Sequence, residues 1–234
     1  MRILTAIMKP CSCPSLLILG STMFLASACE AQHRIHMVGG PSFAWMDAGS
    51  SNYGNLFPSV LTAHAGGLGW SYRSEKRLEF GAAMFHERRG AVGNISLLDI
   101  TGNEIARGTS QYRWDHFTLP VSIGFRSAGR LQALGAIGIV PAYTLHAEMR
   151  TPAFGGMPHD LVHDLTAESS VWTLGGSIEA GGAYALNDRF GLRITGRYYH
   201  GMIPVEFGVL EWSQRSVSIL MGLEFTLGKG KATE

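Results

Sequence analysis

Three sets of residues in this chain have the types and spacing to do chemistry. His200, Glu211 and Ser213 lie close in sequence near its end. A hydroxyl activated by an imidazole that a carboxylate orients is the set that cleaves esters and amides. His159-Asp160 and His163-Asp164 repeat at a four-residue spacing, so on a helical turn both imidazoles would share a face, as zinc ligands can. Gly155, Gly156 and Pro158 precede them and favour a solvated loop instead. The third set is dispersed: Glu79, Glu87, Arg126, Glu179, Arg193, Arg197 and Glu224. Gathered on one side of a sheet, these charges form either an ion path or a salt-bridged core.

What positions them is a series of strands. From Ser216 to Leu227, Val217, Ile219, Met221, Leu223, Phe225 and Leu227 alternate with Ser216, Ser218, Leu220, Gly222, Glu224 and Thr226. Period-2 alternation over twelve residues is a β-strand with two unlike faces. The same pattern predicts strands at 34–46, 61–73, 77–89, 112–126, 130–146, 170–186 and 190–199. Pro41 cannot donate to a ladder and suggests a bulge in the first. Eight strands follow, joined alternately by short turns and by long connections at Asp47–Phe57, Gly90–Gln111, Ala147–Ser169 and His200–Trp212. One parity is bulky and nearly free of charge, while the other is Gly, Ala, Ser, Thr and the dispersed ions. Trp45, Trp70, Tyr72, Trp114, Trp172, Tyr184 and Tyr198 fall near strand ends.

These features predict an all-β fold, an eight-stranded antiparallel up-and-down transmembrane β-barrel. Bulky residues would face lipid, aromatic girdles would mark both interfaces, and small residues would fill a lumen too narrow for a channel. Short turns would lie in the periplasm with both termini, and long loops outside. The alternative is a soluble lipocalin-like binder of a small ligand, whose bulky residues would point inward and whose outside would be charged.

Composition agrees with a membrane barrel. Of 234 residues only 16% are charged, 30 are glycine and the net charge is +1. Mean hydropathy is +0.10. So near-neutral a chain has no electrostatic footprint for nucleic acid. Residues 1–31 read as a cleaved signal peptide: Arg2 and Lys9, an apolar run over Leu16–Ala28, then small residues up to Ala31. Met8 is an alternative start, and Cys29 after Ala26-Ser27-Ala28 an alternative, lipidated site. The barrel domain is then 32–234. Cys11, Cys13 and Cys29 all precede it, so it holds no disulfide or thiolate site. No cofactor and no metal is expected.

Three stretches carry a family resemblance. "AHAGGLGWSYRSEKRLEFGAAMFHERRG" (63–90), "HFTLPVSIGF" (116–125) and "RFGLRITGRYYHG" (189–201) resemble segments of the small PorT-like outer-membrane β-barrels, within the wider OmpA/OmpX-like class. Gly222, Phe225 and Leu227 match the spacing of the signal that barrel-assembly machinery reads, although Leu220 stands where a polar residue is usual and Gly228–Glu234 extend beyond it. The resemblance implies an outer-membrane protein in contact with lipid and assembly machinery, with a structural, adhesive or secretion-complex role exerted through its loops, and no enzyme activity. A second resemblance, to lipid A deacylases of eight-stranded barrels, would make His200, Ser213 and Glu211 the catalytic set. Those enzymes carry His-x-Ser on one strand, whereas Gly201-Met202 follow His200 here.

In the expected barrel, a register centred on Asp188 would oppose Glu179 to Arg197 and Ala183 to Arg193 inside the lumen.

Overall fold

The computed structural model describes residues 32–48, 57–74, 77–156, 159–207 and 210–227, with the backbone alone at 205–207 and 210–211. The expected signal peptide with Cys29, most of the Asp47–Phe57 connection and the 228–234 extension lie outside these residues.

The strands are β1 (Gln32–Ala48), β2 (Leu61–Arg73), β3 (Leu78–Leu98), β4 (Glu104–Thr118), β5 (Val121–Arg126), β6 (Leu131–Thr151), β7 (Leu161–Asp164), β8 (Trp172–Ala185), β9 (Phe190–Gly201), β10 (Val205–Phe207) and β11 (Leu210–Leu227). Each pairs antiparallel with its neighbours, and β1 pairs with β11 from His33↔Leu227 to Ala48↔Trp212, which closes the barrel. β4 and β5 form one stave. Pro120 interrupts the ladder by its missing donor, yet Phe85↔Thr118 and Ala82↔Val121 keep a single register against β3. The staves therefore number eight, with β7 and β10 as short additions at the long-hairpin end.

Bulky residues face outward on every stave. Met37, Leu68, Met84, Ile123, Ile137, Ile178, Ile194 and Met221 are each at least 44% exposed. A closed barrel coated this way satisfies all its backbone groups internally and meets lipid, which excludes the lipocalin-like alternative. No helix among the described residues is long and apolar enough to cross a membrane.

Several sequence expectations need correction. The expected bulge at Pro41 is absent, since β1 keeps one register with β2 through Pro41↔His64. A bulge lies instead in β6, where the partners of Asp115 and His116 are His146 and Thr144. Leu145 is the extra residue, so Leu145 and His146 both point outward. Three of the long connections contain strand among the described residues. β3 and β4 run on as a paired hairpin to a turn at 99–103, β6 continues to Thr151 and takes β7 as a partner, and β11 begins at Leu210. Above the membrane both faces are wet, so the period-2 signal fades while the backbone pairing persists.

The β8–β9 register is the expected one, with Glu179↔Arg197 and Ala183↔Arg193. Glycine permits close approach at the seam: a Cβ on Gly222 would sit 1.8 Å from the Met37 carbonyl oxygen.

Candidate functional site

The lumen is filled in two storeys. The lower one is ionic. Arg126 is fully buried and donates to both Glu224 oxygens, from Nη1 to Oε1 at 2.6 Å and from Nη2 to Oε2 at 2.5 Å. Its Nε donates to Glu79 Oε2 at 2.6 Å and Nη1 to Gln132 Oε1 at 2.8 Å. Arg34 Nε lies 3.4 Å from Glu224 Oε1. Arg193 donates to Glu179 at 2.6 Å and stands 3.9 Å from Glu224. Arg197 Nε is 3.5 Å from Glu179, and its Nη1 donates to Glu87 at 2.9 Å. Glu87 also accepts from Arg89, whose guanidinium stacks 3.5 Å above the Tyr199 ring, while Arg197 stacks over Phe85.

All seven ions of the dispersed set thus meet in one network. Its order differs from the expected one. Glu179 and Arg197 do pair, but Arg193 is the closer partner of Glu179, and Arg197 reaches up to Glu87. Arg34 and Arg89 were missed. Both share the inward parity of their strands, and that parity was the available signal.

Beside the network lies a cavity of about 50 Å³, bounded by His36, Ser71, Glu79, Glu179, Arg193 and Arg197 on one side and by small residues such as Gly81, Gly124 and Ala136 on the other. His36 Nδ1 and Ser71 Oγ have no hydrogen-bond partner there. The space suits a few ordered waters and does not form a through-channel.

The upper storey is an apolar plug. Met46, Ala91, Trp114, Ala147, Leu165 and Trp212 pack together, with Phe57, Tyr112 and Met149 against them. Leu165, leading into a 3₁₀ turn at Thr166–Glu168, is drawn fully inside. Trp114 is therefore no girdle residue: it is buried, and its Nε1 donates to Ser169 Oγ at 3.1 Å. Parity with outward Phe117 already placed it inside. The expectation of a lumen filled mainly by small side chains holds for only one wall.

At the outer rim no hydrogen bond joins His200 and Ser213 among the described residues. His200 lies opposite Arg215 in the ladder, with Nδ1 unpartnered, and Ser213 lies opposite Asp47. Arg215 bridges to Asp47 at 2.9 Å. The Glu211 side chain lies outside the described residues. His159 and His163 do not share a helical turn: His163 sits in β7 opposite Met149 and 3.8 Å from Glu168. Asp160 accepts from Arg150 at 2.8 Å, and that hydrogen bond holds its carboxyl below the usual range. Among the described residues, no three His, Cys, Asp or Glu side chains form a metal-holding group.

Above the lipid belt the surface is laced by ion pairs between strands, Arg88–Asp115 and Arg113–Glu148 among them. Higher still, the β3–β4 hairpin projects a tip on which Leu98, Ile100 and Ile105 are exposed. Asp99 holds its turn, accepting from Thr101 N, Thr101 Oγ1 and Asn103 N at 2.6–2.9 Å.

No protein-family model matches the chain, and no curated protein matches it. Solved structures do. Neisserial surface protein A is 10% identical with a TM-score of 0.45, over 82% of this chain and 97% of its own. The attachment invasion locus protein Ail of Yersinia pestis is 10% identical with a TM-score of 0.41, over 82% and 98%. The outer membrane protease OmpT of Escherichia coli is 8% identical with a TM-score of 0.44, over 86% and 98%. At such distances no residue role carries over. The membrane assignment rests on this chain's own features: a closed eight-stave antiparallel barrel with a lipid-facing apolar belt, the architecture of bacterial outer-membrane proteins.

Proposed function

We propose that the protein is a non-conducting barrel of the outer membrane that acts by docking or adhesion through the sheet it raises on the extracellular side. One contrast carries this reading. The lumen is blocked twice, by ions and by the Trp114–Trp212–Leu165 plug, whereas the β3–β4 hairpin presents exposed Leu98, Ile100 and Ile105 beyond the lipid belt. Exposed apolar residues raised on an ordered hairpin suit contact with another surface. The resemblance to PorT-like barrels makes an envelope or secretion-complex protein one class of partner.

Two measurements test this. Reconstituted protein in planar bilayers should leave conductance at the baseline, and regular open-channel steps would refute the plugged lumen. Replacing Leu98, Ile100 and Ile105 by serine should abolish whatever the wild type retains from detergent-solubilised envelopes, while the barrel still shows a heat-dependent gel shift. Unchanged retention would refute the role of the hairpin.

A further inference from the structure

At the short-turn end the lumen widens into a second cavity, of about 290 Å³, bounded among others by Arg34, Arg73, Arg130, Asp188 and Glu224. Its electrostatics are unbalanced. Glu224 on the floor is neutralised by the two-pronged grip of Arg126 and by Arg34. Around the rim, Arg73 and Arg130 make no hydrogen bond or ion pair within 4 Å among the described residues. Arg130 meets only the Tyr184 ring, at 5.8 Å. Arg77 and Arg189 occupy the adjoining turns, where their carbonyls accept from Arg126 N and Thr226 N. Of the rim side chains that line the cavity, Arg73 and Arg130 face one carboxylate, Asp188, and Glu79, opposite Arg73 in the β2–β3 ladder, is already held by Arg126.

A concave site with a surplus of one charge concentrates counter-ions. The donors are guanidiniums, whose forks match the edges of an oxyanion. A carboxylate offers one such edge, whereas a tetrahedral phosphate offers several, and Arg73 at the end of β2 and Arg130 between β5 and β6 both border the cavity. The ionic floor closes the cavity off from the rest of the lumen, so an occupant enters from the short-turn side.

We propose that this vestibule binds a phosphate-type oxyanion from the periplasmic side, either the headgroup of an anionic lipid in the inner leaflet or a soluble phosphate compound.

The test uses the full-length barrel in nanodiscs of phosphatidylethanolamine, titrated calorimetrically with inorganic pyrophosphate. Wild type should bind. Arg73→Gln with Arg130→Gln should weaken binding about tenfold or more, while Arg73→Lys with Arg130→Lys should keep most of it. A heat-dependent gel shift in each variant shows that the barrel is formed. Adding phosphatidylglycerol distinguishes the sources. If the lipid headgroup is the occupant, it lowers the apparent pyrophosphate affinity of wild type; if the occupant is soluble, that affinity stays the same. Absence of pyrophosphate binding by wild type in phosphatidylethanolamine, or equal affinity of wild type and the glutamine variant, would overturn the proposal.

Discussion

Replacing Arg126 by methionine would remove the hub of the ionic storey while keeping most of the side chain's length. Arg126 has no exposed surface, and its contacts are the two-pronged grip on Glu224 and the bonds to Glu79 and Gln132. Hydrogen bonds to charged groups contribute about 1.5–3 kcal/mol each, but four such terms cannot simply be added, because Arg34 and Arg193 stand 3.4 and 3.9 Å from Glu224 and take up part of its charge. Breaking a buried pair from one side costs about 3–5 kcal/mol, and that is the expected loss. Adding Glu224→Gln removes the stranded charge. The double variant should therefore be about 1–3 kcal/mol more stable than the sum of the single losses implies. The same cycle on Glu179 and Arg197, which meet at only 3.5 Å and each have a closer partner, should give a smaller coupling. Urea unfolding of the barrel in lipid vesicles, followed by tryptophan fluorescence, measures all of these. Additivity within about 0.5 kcal/mol at Arg126 and Glu224 would refute the hub.

Three further outcomes are expected. Gly222→Ala should hinder closure of the β1–β11 seam, because its Cβ would meet the Met37 carbonyl at 1.8 Å, and a reduced heat-shifted fraction after refolding would register this. Trp114→Ala should cost about 3–5 kcal/mol by emptying the middle of the apolar plug, read from the urea midpoint. Asp99 is held at a pKa of about 2, first by the Thr101 hydroxyl and then by the Asn103 amide. Its depressed value means that the turn is fully ordered above the ordinary carboxylate range near pH 4 and loses that order as pH falls through about 2. The Asn103 amide resonance should follow that course, and Asp99→Asn should remove the dependence.

The membrane-spanning part of the fold was legible because lipid imposes a strict rule on it. Alternation must be kept wherever one face meets hydrocarbon, so Val217 to Leu227 announced both strand and facing, and an odd-numbered turn at Asn187–Arg189 was enough to fix Glu179 opposite Arg197. Beyond the belt the rule lapses. Asn94, Ser96 and Thr109 can face either way at little cost, and the β3–β4 hairpin that contains them read as loop. The interior was legible by parity and obscure by pairing. Parity says that Glu87 and Arg197 point inward, but their contact joins residues 110 positions apart and depends on how the sheet closes. Arg34, near the start of β1, and Trp114, grouped with strand-end aromatics, were overlooked although the same parity applied to both.

The tie between Arg126 and Glu224 spans 98 positions and joins a middle stave to the last. Its consequence is temporal. While the sheet is open and the final strand has not arrived, Arg126 and Glu224 must each keep their hydration, and a wet, charged groove cannot settle into hydrocarbon. Docking β11 onto β1 supplies the counter-charge, expels the solvent and seals the wall in one event. A half-built barrel thus has no comfortable resting place, and insertion is committed only when the end of the chain meets its beginning.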